Sequence, residues 1–149
     1  MTDYSEATPD SFSQFAQGTF PGELGIQPLE IEEEFARGRI LVEQRHLHPG
    51  GFVHGGVWTA LGDTVAAWMT FRTVQPGDDF TTIELKLNVF AAGRLGDEIV
   101  AEARPLHSGR STVVIEVRLD RIRDGARKLA ANLIVTQFVL PPSAASFDY

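Results

Sequence analysis

At 149 residues, 43% hydrophobic and 22% charged, the chain has the composition of one globular domain with a substantial core. Its net charge of -7 argues against the clustered basic face of a nucleic-acid binder, and the absence of cysteine excludes disulfides, thiolate metal sites and a cysteine nucleophile. No apolar run approaches the ~20 residues that cross a bilayer, and "MTDYSEATPD" lacks the basic and apolar regions of a signal peptide, so a cytoplasmic protein is expected.

Residues 1–23 read as an acidic lead-in. Phe12 and Phe15 at i, i+3 predict a short helix, which "FPGELG" breaks. From Leu24 to His46 two β-like runs flank "ARGR", whose Gly38 suits a tight hairpin turn. "HLHPGG" is a loop. Residues 55–72 form the one long helix, with Val57, Leu61, Val65, Trp68 and Met69 at helical spacing on its apolar stripe. A second stripe, Gly56, Thr59, Asp63, Ala66 or Ala67 and Thr70, holds small residues and a single acid.

Beyond "QPGDD", Ile83, Leu85, Leu87 and Val89 alternate with Thr82, Glu84, Lys86 and Asn88, the period of a half-buried strand. Further strands are expected near 97–106, 111–121 and 127–140, joined by "HSGR" and "RDGAR", where Asp124-Gly125 is a hairpin signal. The order β-β-α-β-β-β-β predicts an α+β fold, an antiparallel sheet against one helix, over residues 24–140. Residues 141–149 read as a frayed tail.

The stretch His48–Met69 carries the chemistry. A helix N-terminus exposes unpaired N–H groups and partial positive charge, which suit a developing oxyanion. Gly55 and Gly56 sit at that start and let a ligand approach the backbone. Asp63 is the only acid within the helix and is the natural base or nucleophile for acyl transfer. Eight residues separate Gly55 from Asp63, ~12 Å along the axis, whereas each must lie ~3 Å from the reacting atoms. One site using both must be built from two chains. His46 and His107 have no comparable context and read as structural.

"HLHPGGFVHGGVWTALGDTVA" resembles the "hxNPxGxxHGGxxxxLxDxA" pattern of hotdog-fold acyl-CoA thioesterases of the phenylacetate-degradation type. The match falls on Pro49, Gly51, His54, Gly55, Gly56, Leu61, Asp63 and Ala66. "RLGDEIVAEA" and "SGRSTVVIEVRL" are similar to the family's later strands. The resemblance implies one long helix wrapped by a curved antiparallel sheet, a homodimer or homotetramer, an acyl-CoA substrate and no metal or cofactor beyond the substrate's own coenzyme A. It assigns Asp63 as general base or nucleophile and the Gly55 N–H of the partner chain as oxyanion donor, with His54 supporting the turn. Where the family has Asn or Gln to position water or thioester, this chain has His48. Thr82 falls at a hydroxyl position of the family, and Arg94 and Arg110 are turn-borne cations of the type that meets coenzyme A phosphates.

Two other functions compete. A hotdog enoyl-thioester hydratase or dehydratase would pair His48 with Asp63, but its "DxNPxH" stretch is absent and the dehydratase type prefers Glu on the helix. A noncatalytic acyl-CoA binding module would be expected to lack the helix acid.

Overall fold

The computed structural model describes residues 7–140. Its elements run α1 (Pro9–Phe15), α2 (Phe20–Glu23), β1 (Gln27–Ile31), β2 (Ala36–Leu41), a 3-10 turn (Gln44–His46), α3 (Gly55–Thr73), β3 (Asp79–Val89), β4 (Glu98–Ser108), β5 (Thr112–Arg123) and β6 (Ala126–Leu140). The six strands form one antiparallel sheet in the order β1-β2-β4-β5-β6-β3, which leaves β1 and β3 as its edges. The long helix lies across one face of that sheet. Val57, Leu61, Val65, Trp68 and Met69 are all buried there with Ile99, Ile115, Val117, Leu119, Leu133 and Val135. Asp124 and Gly125, both at positive φ, make the two-residue turn between β5 and β6. The tail 141–149 lies outside the described residues.

Gly38 does not turn the chain. It lies inside β2, paired with Pro28 and Ala101, and the turn is Glu32–Phe35, closed by Glu32 N–H donating to Phe35 C=O at 2.8 Å. Gly38 serves close approach instead: a Cβ there would sit 2.6 Å from Trp68 and 2.8 Å from Val65. Gly62 does the same for the facing surface, where a Cβ would meet Leu133 at 2.5 Å. Two missing side chains, one on each layer, let helix and sheet lie in contact.

The N-terminal segment is part of this core. α1 starts with a reciprocal capping box between Thr8 and Ser11. Its Phe12, 4% exposed, packs on Trp68 and Phe71 of α3 at centroid distances of 5.9 and 5.8 Å. "FPGELG" does not merely break α1, because Pro21 in a first helical turn, where no intrahelical donor is needed, starts α2.

β3 departs from simple alternation. Thr82 pairs with Gln137 and Glu84 with Thr136, so Ile83 is an extra residue in the ladder. Thr82 therefore shares the helix-facing side with Leu85, Leu87 and Val89, whereas the sequence period places it opposite Leu85. As an edge strand, β3 also leaves Ile83 58%, Val89 46% and the adjoining Phe90 59% exposed.

Candidate active site

The loop before α3 is folded by its own backbone. Leu47 bridges Val53, His48 N–H donates to Phe52 C=O, and Gly51, at φ +82°, returns the chain to His48 C=O. Fully buried His46 anchors it. Its Nδ1 accepts from Glu43 N–H at 2.8 Å, so the ring proton is on Nε2, which donates to Leu24 C=O at 2.8 Å. His46 is structural, as the sequence suggests.

His54 follows as the N-cap of α3, in extended backbone conformation, and its Nδ1 accepts from Gly56 N–H at 2.9 Å. That leaves Nε2 as a donor facing away from the cap. The donor just before Gly56, the Gly55 N–H, has no partner among the described residues, and beyond its own turn of chain no described atom lies within 4 Å of where a Gly55 Cβ would sit. The helix thus begins with one satisfied and one available N–H. His48 stands beside this turn, its Nδ1 accepting from Gly50 N–H at 2.9 Å and its ring 5.8 Å from Phe52.

Asp63 lies two turns further on. The small-residue stripe of α3 places it half-buried against β3, where the Thr82 hydroxyl is 3.0 Å from Oδ1. Burial pushes the carboxyl above its ordinary range, and the Thr82 hydroxyl partly offsets this by favouring the ionised form. On its outer side Asp63 opens on a cleft of about 310 Å³ whose walls include Phe12, Phe15, Ala67, Trp68 and Phe71. Of the aromatic residues near the motif, Trp68 and Phe71 thus border this cleft, Trp58 is fully packed in the core, and Phe52 lies beside His48.

The structure therefore brings Asp63 and Thr82 together, and separately gathers His48, His54, Gly55 and Gly56 at the start of the same helix. Arg94 joins the second group: Gly93 C=O accepts from Val53 N–H, and the Arg94 guanidinium sits 5.2 Å over the Phe52 ring. Arg110 is elsewhere. It borders a surface hollow with Thr73, Val74 and Gln75 at the C-terminal end of α3. With α3 spanning 19 residues, or ~28 Å, the two arginines stand towards opposite ends of one helix.

One further polar residue, which no sequence motif marks, belongs with Asp63 and Thr82. Gln137, 0% exposed, places Oε1 3.0 Å from the same Thr82 hydroxyl. The signal was present: in "LIVTQFV", Gln137 stands in phase with core residues Leu133, Val135 and Val139. Among the described residues no group of three or more His, Asp or Glu side chains is arranged to hold a metal ion.

Residues 50–126 match the thioesterase superfamily. The chain is 27% identical over 96 residues to a 1,4-dihydroxy-2-naphthoyl-CoA hydrolase of Listeria monocytogenes, covering 64% of this chain and 77% of that one. A crystal structure of a thioesterase from Haemophilus influenzae superimposes with a TM-score of 0.85 at 22% identity, covering 95% of this chain and 96% of the other. A Streptococcus mutans protein solved with acetyl CoA superimposes with a TM-score of 0.69 at 26% identity, over 78% of this chain and 89% of its own.

Proposed function

From its place in the thioesterase superfamily, to which this hotdog-fold chain belongs as a thioester hydrolase, we propose that it hydrolyses acyl-CoA to free acid and coenzyme A. Asp63 acts as general base or nucleophile, and the Gly55 N–H of the partner subunit receives the oxyanion. As base, Asp63 takes a proton from water as the water oxygen bonds to the thioester carbon. As nucleophile, it bonds to that carbon itself and water cleaves the resulting anhydride. Either route puts negative charge on the carbonyl oxygen, expels coenzyme A as thiolate and needs the ionised carboxylate.

The observation that carries this reading is the unpartnered Gly55 N–H on the helix that also holds a half-buried Asp63. Their separation of ~12 Å favours a site shared between chains. The exposed apolar row on β3, an edge strand of 11 residues, favours a homodimer joined there. The cleft beside Asp63 suits the acyl group, with Trp68 and Phe71 as apolar walls. Arg94 and Arg110 suit the coenzyme A phosphates. A common set of phosphates would draw one arginine from each chain.

A thiol-release assay over a panel of aliphatic and aromatic acyl-CoAs tests the reaction, with Asp63→Asn as control. Release by the wild type and its loss in the variant are expected. No release from any acyl-CoA, or full release by the variant, would overturn the reading. A single turnover in heavy-oxygen water bears on the two routes: label in Asp63 identifies the anhydride, cleaved at the Asp63 carbonyl, whereas a base never labels Asp63 and puts the label in the acid product alone.

A further inference from the structure

The hydroxyl of Thr82 stands between two acceptors, 3.0 Å from Asp63 Oδ1 and 3.0 Å from Gln137 Oε1. It has one proton and cannot donate to both. Behind it the Gln137 amide is fully buried, and its Nε2 has no hydrogen-bond partner. A buried amide donor without a partner is costly. Turning the amide about its last bond exchanges its oxygen and nitrogen and resolves both problems. Gln137 Nε2–H then donates to Thr82 Oγ1, and the Thr82 hydroxyl donates to Asp63 Oδ1. The chain of donors has one direction and ends on the carboxylate.

The other amide orientation belongs to the other charge state. When Asp63 carries a proton, the carboxylic acid donates to Thr82 and the hydroxyl donates to Gln137 Oε1. The direction of the hydrogen bonds therefore follows the protonation of Asp63, and the amide is the part that turns. A carboxylate receiving a polarised hydroxyl is stabilised in its ionised form.

We propose that Gln137 is a positioning residue: through the Thr82 hydroxyl it orients the Asp63 carboxylate and holds it ionised for the reaction. This rests on the reading of Asp63 as the reacting carboxylate. The groups facing Asp63 support the assignment. Thr82 from β3, with Gln137 behind it on β6, is the polar group that bonds the carboxylate; α1 contributes Phe12 and Phe15 across the cleft, Thr19 and Thr64 also line it, and none of these described neighbours is ionisable. Nothing else described offsets its burial.

Gln137→Met tests this, because an apolar side chain of similar length fills the space without a donor. The expected outcome is a folded enzyme with nearly unchanged KM. The acidic limb of its kcat/KM–pH profile should move up by roughly half a pH unit or more, the size of one hydrogen bond between neutral groups. On that limb this reads as a several-fold loss of rate that recovers as pH rises. In a Thr82→Val background the same substitution should move nothing further, because Gln137 acts through the hydroxyl. Should Gln137→Met fold poorly, Gln137→Leu is read in the same way. An unmoved limb in the folded variant, or an equal shift in the Thr82→Val background, overturns the proposal.

Carbon NMR titration of the Asp63 carboxyl, made without substrate, must show the same upward displacement. A displaced titration beside a rate indifferent to Asp63→Asn would sustain the positioning role and overturn the catalytic reading instead.

Discussion

Thr82 reaches Asp63, Oγ1 to Oδ1 at 3.0 Å, from a ladder between β3 and β6 that leaves Ile83 out of its alternation. The hydroxyl faces α3 on the same side as Leu85, and the carboxylate is held by a neighbouring layer as well as by its own helix. This pair supplies the testable consequences of charge.

Burial raises the Asp63 carboxyl, and the proposed reaction needs it ionised. Activity should therefore rise with pH through a value above the ordinary carboxylate range. The effect on stability has the opposite sense. Between the unfolded and the raised folded value, the native chain holds a proton that the unfolded chain has released, so stability falls as pH rises across that window. Asp63→Asn should unfold at a higher temperature than wild type near neutral pH, with the difference shrinking in acid, while turnover falls by roughly 10²-fold or more. Calorimetry of both proteins across pH decides it. A variant less stable than wild type at neutral pH would contradict the sign.

Gly55→Pro removes the proposed oxyanion donor with little disturbance. Gly55 is the first residue of α3, where proline is accepted, and His54 is already extended at ψ 141°, as a residue before proline requires. The variant should fold and dimerise but lose turnover. Mixed with Asp63→Asn under verified subunit exchange, it should restore roughly a quarter of wild-type activity per site, given random pairing and independent sites. No recovery after demonstrated exchange would rule out a shared site.

His48 holds its own turn by accepting from Gly50 N–H. His48→Asn should be tolerated, because the asparagine oxygen can accept the same N–H in an Asx turn. His48→Ala should cost about 1 kcal/mol, roughly five-fold in kcat/KM if the turn positions the thioester. If thermal unfolding moves and kcat/KM does not, His48 supports the loop alone.

Gly38→Ala should destabilise by about 1–3 kcal/mol, because its Cβ would press on Trp68 at 2.6 Å and Val65 at 2.8 Å in a closed core. Denaturant unfolding measures this directly. An unchanged midpoint would mean that α3 can shift from the sheet without cost.

What the sequence revealed depended on the range of each signal. The helix was legible because Val57, Leu61 and Val65 repeat within one element, and Asp63 stood out as its only acid. Gly38 was misread because glycine serves both turns and close packing, and what distinguishes them is Trp68, 30 residues away in sequence. The facing of Thr82 was misread because a bulge is a mismatch between two strands and has no mark in either alone. Gln137 was legible by phase, yet its meaning needed the partner it meets on β3. The separation of Arg94 and Arg110 followed only from the folded sheet, which carries them to different ends of α3.

The irregularity at Ile83 also bears on how such a chain can drift in length. Since the ladder absorbs Ile83 without a change of face on either side, a protein lacking that residue could keep a regular ladder with the same hydroxyl over the same acid. Insertion and deletion at this point are then silent for the chemistry, although they renumber everything downstream. Sequence comparison by counting positions would misassign the hydroxyl in such a case. The dependable ruler is the distance in space from the acid on the helix, which selection can hold constant while the strand gains or loses a residue.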